Sequence, residues 1–154
     1  MEIKDHIGNL ELLNMEKTVF LCSRDIPASI VLKCYDWAIE QREQGNCVIS
    51  GFHSPIEKDV FHYLLKGYQP IIIALARGLR QRIESPIKKA LDTGRILIVS
   101  PFDKEVKRIT TKTAIIRNQL MIELADSITV GYASERGNLK ELLKQTKKRI
   151  IQVE

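Results

Sequence analysis

Residues 70–76, PIIIALA, are almost wholly apolar. A strand with one wet face alternates apolar and polar residues, whereas an unbroken apolar run suits a strand covered on both faces, as in a parallel sheet between helices. Shorter runs of similar character recur at 17–23 (KTVFLCS), 47–50 (CVIS), 95–100 (RILIVS), 127–132 and 149–153. The segments between them carry helical spacing. In 28–44 the residues Ile30, Val31, Cys34, Trp37 and Ala38 recur at three and four before Gly45, and in 113–125 Ile115, Ile116, Leu120 and Leu124 share a face. Further helical pieces are expected from Pro55 to Gly67, over 87–92 and over 137–146. Strands alternating with helices imply parallel βαβ units with right-handed crossovers. The expected architecture is α/β: a doubly wound, Rossmann-like, mostly parallel sheet with helices on both faces.

The stretch 47–61, CVISGFHSPIEKDVF, reads as strand, turn and helix. Ser54 suits the N-cap, Pro55 the first helical position and Glu57 the first turn. Such a turn at the carboxyl end of a strand is expected to offer free N–H groups and a positive helix end to an anion. In doubly wound sheets ligands sit along that edge. This chain should place there Ser23 and Arg24, Gly51 to Ser54, Arg77 to Arg82, Ser100 and Pro101, and Tyr132 to Gly137. The set is rich in donors and poor in paired acids, which suits phosphate. Phe52 is its one obvious stacking residue, and His53 its one histidine, able to donate to phosphate or simply to fill a turn. Arg117 and Asn118 stand early on a helix between apolar Ile116 and Leu120. A helix start near the binding edge would explain them, and a place on the solvent side is the alternative.

The net charge of +5 is concentrated: 76–117 holds eleven Lys/Arg against four Asp/Glu. A clustered basic surface fits a phosphate-bearing partner, although a solvated face with helix-end lysines gives the same count. Three cysteines without close spacing read as buried thiols of a reducing compartment. With no apolar stretch of membrane-spanning length and no signal-peptide pattern, the expected location is the cytoplasm, with no membrane partner. The chain is long enough for a single domain over 1–154, with 1–15 as a short helix or loose arm. No G-x-G-x-x-G follows the first strand, and no Walker lysine, G-x-S-x-G elbow or metal-spaced His/Cys pair occurs. No catalytic residue, metal or cofactor is therefore assigned.

Taken in order, several motifs resemble the Rossmann core of DNA-processing protein A (DprA/Smf). They are Ser23-Arg24 after the first strand, Ser50-Gly51 after the second with His62 behind, Gly78-Leu79 after PIIIALA, Pro86, and Gly94 before RILIVS with Pro101. Arg117-Asn118 and Gly137-Asn138-Leu139 complete the series, and the most specific stretch is RNQLMIELADSITVGYASERGNL. The resemblance implies a basic pocket at the strand ends that binds single-stranded DNA, with Ser23, Arg24, Ser50, Gly51, Gly78, Arg117 and Asn118 as matching positions. It also implies a homo-oligomer and, in transformation, a recombinase partner. Cys22, the Phe52-His53-Ser54-Pro55 turn and Gln119 depart from the family pattern. Arg77, Arg80 and Arg82 are expected to add charge to the pocket. Two other readings stay open: a nucleotide-binding sensor of the same superfamily, and a LOG-type nucleotide N-glycosidase. For the last, Glu57 and Glu135 are the available carboxylates, but YASERGNL stands where its Pro-Gly-Gly turn would be.

Overall fold

The computed structural model describes residues 2–154. Its centre is a seven-stranded sheet in the order β1-β5-β4-β3-β2-β6-β7. The strands are β1 (Asp5–Gly8), β2 (Lys17–Leu21), β3 (Cys47–Ser50), β4 (Ile71–Ala74), β5 (Ile96–Ser100), β6 (Ser127–Val130) and β7 (Ile150–Gln152). Every neighbouring pair is parallel except β1 with β5. The chain steps outward from β2 through β3 and β4 to β5, then crosses back to lay β6 on the other side of β2. The winding direction thus reverses between β2 and β6.

Five α-helices cover the two faces: α1 (Ala28–Gln44), α2 (Pro55–Leu65), α3 (Ser85–Asp92), α4 (Thr111–Leu124) and α5 (Asn138–Lys144). Cys34 and Ala38 of α1, Val60 and Leu64 of α2 and Ala90 of α3 pack with Phe20, Val48, Ile71 and Ile98 on one face. Leu120 and Met121 of α4 and Leu142 of α5 pack with Val19, Ile49, Ile72, Leu97 and Ile128 on the other. β3, β4 and β5 are buried at every position, because helices cover both of their faces.

Local chemistry fixes the helix ends. Gly45 ends α1 at φ 76, a left-handed cap that glycine adopts without strain. Thr110 and Thr113 form a reciprocal capping pair at the start of α4. Lys148 Nζ donates to the carbonyls of Ile122, Glu123 and Ala125, closing the other end of that helix.

The expected mostly parallel, doubly wound sheet is present, and the N-terminal segment differs. Residues 5–8 are neither helix nor arm but an edge strand, with Asp5 opposite Ser100 and Gly8 opposite Leu97. A 3-10 helix, Leu10–Asn14, follows and buries Leu12. Lys17 Nζ donates to the carbonyls of Leu13 and Met15, which ties that turn to β2.

Candidate functional site

At the reversal of winding, the loop after β2 and the loop after β6 diverge and leave a cleft of about 340 Å³. This is where the topology of an open α/β sheet opens a crevice. Ser23, Arg24 and Asp25 enter from β2, His53, Ser54 and Glu57 from the turn after β3, Arg117 and Asn118 from α4, and Ser134 to Leu139, apart from Glu135, from the loop after β6. The two loops are stitched together at their base. The Ser23 N–H donates to the Tyr132 carbonyl at 2.8 Å, and the Ser134 N–H donates to Ser23 Oγ at 2.9 Å. Arg24 and Arg136 are exposed at the rim.

The floor is a buried carboxylate. Glu57 is 7% exposed and accepts three backbone N–H groups: His53 at 3.0 Å and Ser54 at 3.2 Å on Oε1, and Cys22 at 3.0 Å on Oε2. Burial pushes its carboxyl above the usual range, while those three bonds and the Arg117 charge pull it down. The Glu57 N–H in turn donates to Ser54 Oγ, so α2 begins with a capping box built on a residue at the bottom of the cleft.

The expectation of free N–H groups at the 51–54 turn therefore needs correction. The His53 and Ser54 donors already serve Glu57, and the Phe52 N–H serves Ser50 Oγ at 3.2 Å. The N-terminus of α2 holds the protein's own anion. Ser50 is fully buried, its hydroxyl donating to the Phe20 carbonyl at 2.9 Å, so it shapes the turn from below.

Arg117 lines the cleft and does not stand on the solvent side. It is 5% exposed, with Nε donating to Asn118 Oδ1 at 2.8 Å and Nη1 to the Ala74 carbonyl at 3.3 Å. Its guanidinium occupies the space that a Cβ on Gly51 would fill, so Gly51 makes room for the arginine. Burial lowers the pKa of Arg117, and Glu57 raises it. The charges of Arg117, Arg24 and Lys58, added to a larger effect of burial, hold His53 below its ordinary value. Burial is the larger cause, and the lowering added by three cations reflects the positive charge gathered around His53.

Other expected site residues lie elsewhere. Phe52 does not offer a stacking surface: it is 8% exposed at φ 48, and its ring packs against Phe61 with centroids 4.7 Å apart. Gly78 is covered by the loop after β5, since a Cβ there would overlap the Asp103 carbonyl and Gly78 N–H donates to Val106 at 2.7 Å. Its role is to let two loops touch. Arg77 is half-buried and donates to the Gly78 carbonyl, Arg80 is exposed, and Arg82 lines a separate hollow beside β1 with Ile7 and Lys88. Ser23, Arg24, His53, Ser54, Arg117 and Asn118 are thus brought together, and the 77–82 group is not.

Arg136 and Glu57, both in the cleft, were not singled out as ligand-binding positions: the first fell only within the 132–137 edge loop, the second only among the carboxylates of the N-glycosidase reading. Arg136 stands in the ASERGN turn, whose length after β6 was its only signal. Glu57 was legible as a first-turn acid, but its bond to Cys22, 35 residues away, has no local signature. Glu135, by contrast, is exposed and pairs with Lys140, outside the cleft lining. Cys22 and Cys34 converge on Gly131, where a Cβ would stand 3.0 Å and 2.9 Å from their sulfurs, and both are buried. Among the described residues no cluster of His, Cys, Asp and Glu could hold a metal ion, and no helix is long and apolar enough to cross a membrane.

No protein-family model and no curated protein matches this sequence. Solved structures do. DNA processing protein A from Streptococcus pneumoniae superposes with a TM-score of 0.73 at 18% identity, over 96% of this chain and 53% of that one. This chain therefore spans about half the length of that relative. DNA processing protein A from Helicobacter pylori, a structure described for its single-stranded DNA binding mode, superposes with a TM-score of 0.76 at 18% identity, over 97% of this chain and 74% of that one. In its fold, this chain is a DprA-like Rossmann domain.

Proposed function

We propose that the chain binds single-stranded nucleic acid along the carboxyl edge of its sheet, gripping phosphate in the cleft between β2 and β6. The observation that carries this reading is the charge of that cleft: Arg24 and Arg136 at the rim, Arg117 beneath, and His53 lowered first by burial and further by Arg117, Arg24 and Lys58. The loops after β4 and β5 extend the same edge with Arg80, Lys104, Lys107 and Arg108, all exposed. The single-stranded DNA binding mode of the Helicobacter pylori relative supports the choice of ligand. Both oxygens of Glu57 are engaged by backbone donors, so the chain is read as a binding module without hydrolytic chemistry.

The test is a titration of a labelled single-stranded oligonucleotide at several salt concentrations, with the native chain and with Arg24→Ala. Arg24 is exposed, so its removal spares the fold. Affinity that falls steeply with salt and weakens in the variant supports the reading; no binding by the native chain at low salt rejects it. The cleft volume of about 340 Å³ favours one competing ligand, a single mononucleotide. Thermal stabilisation by a mononucleotide, with none by oligonucleotides, would assign the chain as a nucleotide sensor instead.

A further inference from the structure

Glu57 is the one fully engaged carboxylate of the cleft, and the two segments it joins come from different strands. Through Oε2 it holds the Cys22 N–H at the end of β2, two residues before Arg24. Through Oε1 it holds the His53 and Ser54 N–H groups after β3. A carboxylate can accept from both sides at once, because each oxygen presents two lone pairs and neither needs a proton. Nothing else among the described hydrogen bonds ties the 22–25 loop to the 52–54 turn. The same turn would otherwise expose N–H groups at a helix start, where an incoming phosphate is welcome. With Glu57 in that position, phosphate is excluded there by charge and by occupied donors, and is left to the side chains of Arg24 and His53.

We infer that Glu57 is a positioning residue for the ligand: its carboxylate clamps the two loops so that Arg24 and His53 face one phosphate, and it denies that phosphate the α2 N-terminus. This rests on the proposed nucleic-acid reading. Arg24 and His53 line the same cleft, one from the loop after β2 and the other from the turn after β3.

Glu57→Gln preserves shape and replaces one acceptor oxygen by an NH2 donor. One of the two loops then faces a donor with a donor and is released. The measurement is a double-mutant cycle on oligonucleotide affinity with Glu57→Gln, Arg24→Ala and the pair, each first checked for a cooperative melt. The expected result is a loss of about tenfold for Glu57→Gln, shrinking below about twofold in the Arg24→Ala background, with the salt slope reduced in both single variants by a similar amount. A purely structural role would lower the melting temperature and leave the slope and the cycle additive, which overturns the inference. If the amide variant does not fold, Glu57→Asp keeps the charge, shortens the reach and carries the same cycle. Absence of binding by the native chain overturns the nucleic-acid reading and this role with it. Binding by the native chain with an additive cycle overturns the clamp alone.

Discussion

Gly51 and Arg117 form one unit. The glycine leaves the hole that the guanidinium fills, and the arginine then spans the exits of β3 and β4 by way of the Ala74 carbonyl. Gly51→Ala would push a Cβ into a group that is buried and hydrogen-bonded, so the guanidinium cannot simply swing away. The expected cost is about 2 kcal/mol, read as a lower denaturant midpoint with unchanged m-value, together with weaker oligonucleotide binding. An unchanged midpoint would mean that Arg117 has a second place to go. His53 carries a different prediction. Burial and neighbouring cations hold its folded pKa below the ordinary 6.5, so the unfolded chain binds the proton more readily. Its contribution to stability is therefore present above that ordinary value and is lost as the pH falls below it. A bound phosphate reverses the local potential, raises the pKa and makes affinity grow as the pH falls. An NMR titration of the imidazole with and without oligonucleotide should show an upward shift on binding; an unmoved pKa would place the ligand elsewhere.

At the scale of elements, the sequence was legible wherever burial is symmetric. CVIS, PIIIALA and RILIVS declare strands covered on both faces, and all three are interior strands of the sheet. The caps of α2 were equally readable, since Ser54, Pro55 and Glu57 act within four residues of one another. DHIG was not legible as β1. It has neither alternation nor an apolar run, and it becomes a strand only because the free edge of β5 needs partners for its backbone. The same limit hid the floor of the cleft. A first-turn glutamate is local chemistry, whereas its grip on Cys22 depends on how β2 and β3 are registered. The Phe52 expectation failed for a related reason: its position after the strand suggested an exposed ring, but the φ of 48 turns it inward onto Phe61. Because β1 rests on backbone pairing alone, its glycine is the sensitive point. Gly8 sits at φ 107, and a Cβ there would overlap the Ile96 carbonyl. Gly8→Ala should cost about 2 kcal/mol and loosen the edge of β5, seen as faster amide exchange at residues 96–100. Native-like protection there would show that β1 is dispensable to the sheet.

For the whole molecule, the distribution of charge matters more than its sum. Arg24, Arg80, Lys104, Lys107, Arg108 and Arg136 are all exposed and all lie in loops after strands that run the same way. Parallel topology gathers them, since each βαβ unit delivers its strand exit to the same edge. The loops after β4 and β5 are joined by the Gly78 to Val106 bond and by Ser100 Oγ donating to the Arg77 carbonyl at 2.6 Å. Their positive charges therefore stand on one continuous surface and not on independent arms. If a single strand crosses from the β2/β6 cleft onto that surface, each exposed cation there displaces a counterion. Replacing Arg80, Lys107 and Arg108 together with glutamine should then lower the salt slope of oligonucleotide binding by about 2, at the value of about 0.7 per phosphate for single strands. Mononucleotide binding in the cleft should be untouched, because none of the three lines it. An unchanged slope with weakened binding in Arg24→Ala would confine the ligand to the cleft, and a slope lost only in the triple variant would move it onto the loops.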